Sequence, residues 1–249
     1  VRLGRLGTAA LDLVFPPRCP MTDDPVTRHG AFSGRAWAQA QMIAAPLCEA
    51  CGLPFSLNDP AAPLCAACAA PDRFAGALTG RGRLDRVRSA LRYDDESAPV
   101  VLSLKYADRH DAVPALCRLL ALTGDELLRD GATLVPVPLH PTRLRERRFN
   151  QAAVLAGGVA RLTRSPHAPR LLIRKRPTPK QKGMSPAARA RNVSGAFALR
   201  RGESAEGGRF VLIDDVLTSG ATLVACARAL RRAGAAEVSA LTLARVIRG

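Results

Sequence analysis

Strand, helix, strand is the pattern carried by the last 41 residues, and it constrains the fold more than any other feature of the chain. Arg209-Phe-Val-Leu-Ile-Asp214 is a compact apolar run of strand length. Residues 223–232 place apolar side chains at helical spacing and stop at Gly234, and residues 238–246 are apolar again. A βαβ unit of this length demands a parallel sheet. The expected fold class is α/β, with a small N-terminal metal-stapled module over residues 1–80 and a central parallel sheet flanked by helices over residues 81–249. Further strands are expected within 83–93, at 133–138 and at 171–173, with helices within 98–129 and over 151–162. The Arg-, Lys-, Pro- and Ser-rich stretch 174–192 reads as a long exposed loop.

Between the penultimate strand and its helix stands Asp214-Asp215-Val216-Leu217-Thr218-Ser219-Gly220-Ala221-Thr222. Amides at a helix N-terminus lack intrahelical acceptors and lie at the positive end of the peptide dipoles, so a phosphate is stabilised there. Thr218, Ser219 and Thr222 add hydroxyl donors, and Gly220 lets backbone approach a ligand closely. Asp214 and Asp215, at the carboxyl end of a buried strand, are placed to accept hydrogen bonds from vicinal sugar hydroxyls, where open α/β sheets keep their ligand crevice. The competing reading of the two carboxylates is a helix-capping turn.

Seven cysteines occur, and four form Cys48-x2-Cys51-x13-Cys65-x2-Cys68. Two C-x2-C turns facing each other supply an all-sulfur tetrahedron suited to Zn²⁺, and a closed site of four thiolates is structural. Two redox dithiols, or four unrelated buried thiols, are the alternatives. Cys117 and Cys226 sit in apolar helical patterns and read as core residues, while Cys19 has no partner at ligand spacing. No internal repeat is visible beyond the duplicated C-x2-C. This usage of cysteine fits a reducing compartment, and the expected location is cytoplasmic.

The formal net charge of +16 is unevenly spread: residues 131–209 hold 17 basic and 3 acidic side chains, while residues 1–130 balance. Such a field favours a polyanion, either nucleic acid or a phosphorylated small molecule, although a solvated Arg-rich surface gives the same count. Aromatic residues, at 4%, are too few for a base-stacking platform. No apolar run approaches the roughly 18 residues of a membrane span. Residues 1–15 read as a short amphipathic helix rather than a secretory signal.

Val211-Leu-Ile-Asp-Asp-Val-Leu-Thr-Ser-Gly-Ala-Thr222 resembles the ribose-5-phosphate signature of type I phosphoribosyltransferases. The chain as a whole resembles the ComF family of competence-associated proteins, a double zinc ribbon joined to such a domain. The resemblance is carried by Pro46-Leu-Cys-Glu-Ala-Cys-Gly-Leu-Pro-Phe55, Val135-Pro-Val-Pro-Leu-His140, Arg147-Arg-Phe-Asn-Gln151, Gln181, Arg191-Asn-Val-Ser-Gly-Ala-Phe197 and the Asp-Asp loop. It implies a zinc-ribbon module joined to a phosphoribosyltransferase-like domain, with phosphoribosyl pyrophosphate as donor and Mg²⁺ accompanying it. Thr218, Ser219, Gly220, Ala221 and Thr222 would hold the 5′-phosphate, and Asp214 and Asp215 the ribose hydroxyls. Pro136, Val137 and Pro138 match the pyrophosphate loop. Arg147, Arg148 and the loop bearing Arg174, Lys175, Lys180 and Lys182 would clamp the departing pyrophosphate.

The family's first ribbon usually has its own C-x2-C pairs. Here Cys19 is followed by Pro20-Met21-Thr22, and no second pair precedes Trp37, which implies a degenerate first ribbon and a single structural zinc at Cys48, Cys51, Cys65 and Cys68. Two functions follow from the resemblance. One is phosphoribosyl transfer to an acceptor that the sequence does not name. The other is an accessory role in DNA uptake, binding single-stranded DNA or sensing the donor without turnover.

Overall fold

The computed structural model describes residues 16–19, 21–56, 62–74, 76–104, 112–178 and 185–247. The amphipathic segment 1–15, Lys105, Lys180, Gln181 and Lys182 lie outside them. In chain order the elements are α1 (Gly34–Gln39), α2 (Ala66–Ala69), β1 (Val87–Arg92), α3 (Ala98–Ser103), α4 (Val113–Thr123), α5 (Asp125–Leu128), β2 (Thr133–Pro136), α6 (Pro141–Arg147), α7 (Gln151–Thr163), β3 (Leu172–Arg174), α8 (Pro186–Val193), β4 (Phe197–Leu199), β5 (Arg209–Leu217), α9 (Ala221–Arg232) and β6 (Glu237–Arg245).

Strands β1, β6, β5 and β2 form one sheet in that order, and every pairing is parallel. Alternate side chains of β5 and β6 enter opposite layers, as the pleat requires. Val211, Ile213, Leu241 and Leu243 face a core shared with α4 and α7. Phe210, Leu212, Val238 and Ala240 face a core shared with α9. Helix α9 buries Leu223, Cys226, Ala227 and Leu230 on one stripe, and Arg231 and Arg232 close its negative end. Cys117 and Cys226 are buried in the two cores.

The stretch 174–192 is not a loop throughout. Helix α8 occupies its end, begun by the Ser185 hydroxyl accepting from the Ala188 amide, with Pro186 in the first turn. Strands β3 and β4 pair antiparallel as a separate ribbon.

The N-terminal module repeats itself beyond the duplicated C-x2-C that the sequence displays, and the degenerate first ribbon that the resemblance implies is present as backbone bonding. In the second ribbon the Cys48 amide donates to Leu53 O, the Gly52 amide to Cys48 O and the Phe55 amide to Pro46 O. In the first ribbon the Cys19 amide donates to Asp24 O, Asp23 to Cys19 O and Val26 to Pro17 O. Asp23 (φ 60°) takes the left-handed place that Gly52 (φ 65°) holds in the second turn. Ser33 caps α1 as Cys65 precedes α2. Thr22, Ser33 and Ala36 thus stand at the positions of Cys51, Cys65 and Cys68. Thr22 Oγ1 and Ser33 Oγ both reach Asp24 Oδ2, at 2.7 and 3.0 Å, and lie 2.8 Å from each other. The repeat resides in backbone bonding, so only one of its four ligand positions, Cys19, betrays it in sequence. Among the described residues, no helix is long and apolar enough to cross a membrane.

Candidate active-site cleft

Parallel strands deliver their carboxyl ends to one edge of the sheet, where the turns after β2 and β5 meet. A cleft of about 250 Å³ opens there, lined by Val137, Pro138, Arg143, Arg147, Arg174, Asp214, Asp215, Thr218 and Thr222 among others. A smaller pocket of about 30 Å³ adjoins it, formed by Asp214 and the turn from Val216 to Leu223.

That turn leads straight into α9. Gly220 occupies the N-cap with φ 71° and supplies no side-chain cap. Among the described residues, no protein acceptor takes the amides of Ser219, Gly220, Ala221, Thr222 or Leu223. Five donors therefore converge at the positive end of a 12-residue helix, which is the arrangement a phosphate needs.

Asp214 and Asp215 end the buried run of β5 and are bound to their own backbone. The Asp215 amide donates to Asp214 Oδ1 at 3.0 Å, and the Val216 amide to Asp215 Oδ1 at 2.7 Å. Burial, and then the neighbouring Asp215 carboxylate, push the Asp214 carboxyl well above the ordinary carboxylate range, against the pull of the Asp215 amide and Arg174. An acid held in this way gains from ligands that donate hydrogen bonds or bring positive charge.

Three guanidiniums line the cleft. Arg143 and Arg147 lie one turn apart on α6, and Arg174 ends β3. Burial, with Arg143 adding to it, lowers the Arg174 pKa, and its Nε is buried without a partner. Arg174 also stacks 5.4 Å from the Phe197 ring centroid and donates to Thr178. The turn after β2 is held from beneath: Asn150 Nδ2 donates to Val137 O at 3.0 Å while its Oδ1 caps α7 through the Ala152 amide. Gln151, 2% exposed, leaves its Nε2 unpartnered at the cleft wall.

The structure thus brings together Asp214, Asp215, Val137, Pro138, Arg147, Thr218 and Thr222, with Ser219, Gly220 and Ala221 around the smaller pocket. Pro136 is buried in β2, behind the cleft. Arg148 is exposed, closes α6 at φ 65° and does not line the cleft. Lys175 is exposed beyond the lining, and Lys182 lies outside the described residues. Arg143, Asn150 and Gln151 were not expected as site residues from sequence. The i,i+4 spacing of Arg143 with Arg147 is the signal that finds the first.

The second ribbon holds its four sulfurs within 4.8 Å of one another. Cys51 and Cys65 sulfurs are 3.7 Å apart, close to the edge of a tetrahedron with bonds of about 2.3 Å to zinc. Amides of Cys51 and Cys65 donate to Cys48 Sγ at 3.5 and 3.4 Å. Burial opposes them, yet these bonds bring the Cys48 thiol down to about 7. The donor set fits a structural zinc, which supplies only cross-linking there.

The sequence pattern of the double zinc ribbon domain matches residues 10–74, and that of the phosphoribosyl transferase domain matches residues 151–249. DNA utilization protein YhgH of Salmonella typhi is 30% identical over 94% of this chain and 100% of its own length. The chain belongs to the ComF family. Other relatives are YhgH of Escherichia coli K12, 32% identical over 65% of this chain and 73% of its own, and the competence protein ComFC of Bacillus subtilis, 30% identical over 84% and 81%. A solved allosteric regulatory enzyme of purine biosynthesis aligns with 57% of this chain and 30% of its own at 23% identity, with a TM-score of 0.38. Within the ComF family, the double-ribbon match spans the first ribbon as well, although Thr22, Ser33 and Ala36 there offer no thiolate.

Proposed function

We propose that the cleft binds phosphoribosyl pyrophosphate together with Mg²⁺ and transfers its phosphoribosyl group to an acceptor. The observation that carries this is the set of unbonded amides from Ser219 to Leu223 beside the paired carboxylates. The turn takes the 5′-phosphate, with the Thr218, Ser219 and Thr222 hydroxyls adding donors. Asp214 and Asp215 accept from the ribose hydroxyls and thereby orient the sugar. Arg143, Arg147 and Arg174 face the diphosphate end. Cleavage of the bond at C1 builds negative charge on the leaving diphosphate, and fixed guanidiniums aimed there lower the barrier without reorganising. Asp214 and Asp215 are the residues that would help hold an accompanying Mg²⁺, which when bound would supply further neutralisation of that charge. No protein nucleophile is required, because the acceptor supplies the attacking atom. The test is isothermal titration of the zinc-loaded chain with the donor, with and without Mg²⁺, on the wild type and Asp214→Asn. Mg²⁺-dependent binding that weakens at least about tenfold in the variant supports the reading; absence of Mg²⁺-dependent binding to the wild type overturns it.

A further inference from the structure

Beside the turn that leads into α9 lies a groove that shares only Ser219 and Ala221 with the phosphate pocket. It has a volume of about 150 Å³, well above the ~15 Å³ that one water needs. One wall is the tail of the second ribbon at Gly76, Ala77 and Arg83, and the other is the end of α8 from Ala190 to Gly195. Its floor is the outer stripe of α9. Ala221, Ala225, Arg228 and Arg232 recur at three- and four-residue steps, so two small side chains open the space and two guanidiniums line its length.

Among the described residues, no carboxylate lines this groove. Among the described residues, none of Arg83, Arg228 and Arg232 is held in an ion pair, whereas the adjacent Arg231 is tied to Asp85. Arg83 is half-buried and spends one N–H on Ala77 O at 2.6 Å, leaving the rest of its fork free. Like charges gathered at one groove repel, and without an anion the arrangement costs stability. Ser219 borders the groove as well as the phosphate pocket, and its Oγ is buried with no hydrogen-bond partner. A buried hydroxyl left unbonded carries a penalty of about 1–3 kcal/mol, which a ligand oxygen removes. The small floor and the three unpaired cations share one chemical complement, and the Ser219 hydroxyl stands at the border with the phosphate pocket.

We propose that this groove is a second anion site, taking a phosphate ester between Arg83, Arg228 and Arg232. The ester comes either from a free nucleotide or from the backbone of a single nucleic-acid strand, and guanidinium forks suit both. Only Ser219 and Ala221 are shared with the phosphate pocket, and none of the three arginines is, so a test on the arginines reads this site independently of the function proposed above.

Two probes distinguish the sources: a fluorescent ATP and a labelled strand of about 12 thymidines, each followed by anisotropy between about 50 and 200 mM salt. The variants are Arg228→Glu/Arg232→Glu, Arg228→Gln/Arg232→Gln and Asp214→Asn. Arg228 and Arg232 are exposed on the helix, so the Gln pair keeps the fold and guards against unfolding in the Glu pair. The expected result is a loss of about tenfold or more for at least one probe in both double variants, with Asp214→Asn unchanged. If the strand is the source, its salt slope also falls by about 1.4. The probe that responds names the source. Wild-type affinity for both probes in the Glu pair overturns the proposal, and so does a loss confined to Asp214→Asn.

Discussion

Replacing Gly220 by Ala should injure the protein in two separable ways. Its φ of 71° is a left-handed conformation that costs an L-residue roughly 1–2 kcal/mol. A Cβ there would lie 1.9 Å from Leu78 Cδ2 and 3.3 Å from Leu217 Cδ1. Leu78 is buried, so its side chain has to repack, at about 1–3 kcal/mol. The sum is about 2–5 kcal/mol, which in a chain of this size lowers Tm by roughly 4–20 °C. At a permissive position the same substitution would stabilise slightly, so the sign itself is diagnostic. Urea and thermal unfolding of the zinc-loaded protein measure the loss, and a cycle with Leu78→Ala divides it. Removing Leu78 relieves the collision but not the backbone strain, so the double variant should be about 1–3 kcal/mol more stable than the summed singles. A Gly220→Ala protein within about 0.5 kcal/mol of wild type would refute the reasoning, as would strict additivity.

Asp214→Asn should stabilise the ligand-free protein at neutral pH while weakening donor binding. The folded-state pKa of Asp214 is raised, so its contribution is full below the unfolded carboxylate value near 4 and is lost as pH rises through the folded value. The gain of the Asn variant over wild type should therefore grow with pH, and urea midpoints between about pH 4 and 8 read it; a constant or shrinking difference counts against the burial of this acid. Metal analysis should find about one zinc per chain, rising to about two in Thr22→Cys/Ser33→Cys/Ala36→Cys, since those three side chains complete the Cys19 knuckle. A triple variant still holding one zinc would show that the two ribbons are not equivalent at their metal positions.

How far the sequence could be read depended on where the information lay. The strand–helix–strand end was legible because both periods are strong, and burial on both faces gives β5 and β6 their unbroken apolar runs. The turn between β5 and α9 was legible because its left-handed backbone, with φ 71° at Gly220, selects glycine. The cysteine tetrad was legible from spacing alone. The first ribbon was legible through the family resemblance alone, because its backbone bonds persist while the side chains that would announce it have become Thr22, Ser33 and Ala36. Helix α8 was hidden by Arg-rich composition, and Ser185-Pro186 was its only signal. Arg148 and Lys175 drew attention by charge, but which cations face a cleft is decided by helix phase and strand register. Arg143 shares a face with Arg147, whereas the adjacent Arg148 turns away.

The zinc module is built into the sheet rather than appended to it, and this gives the metal a part in shaping the cleft. Arg245, 9% exposed at the end of β6, donates to the Cys51 carbonyl and lies 3.8 Å from Cys51 Sγ through Nη2. Burial pushes the Cys51 thiol up and the Arg245 charge pulls it back, so the strand supplies the cation that four clustered thiolates need. Arg245 is paired in register with Leu217, and Val246 N donates to Leu217 O, one residue before the phosphate turn begins. From the other side Thr79 Oγ1 donates to Cys68 Sγ at 3.2 Å, while the neighbouring Leu78 packs on Gly220. The turn is therefore gripped from below by β6 and from above by the ribbon tail, and both grips end on cysteine ligands. A loop of small residues with unbonded amides has little of its own to hold its shape. In this chain the turn is held by the cross-linked module packed against it, and the phosphate site proposed above would take its preorganisation from there.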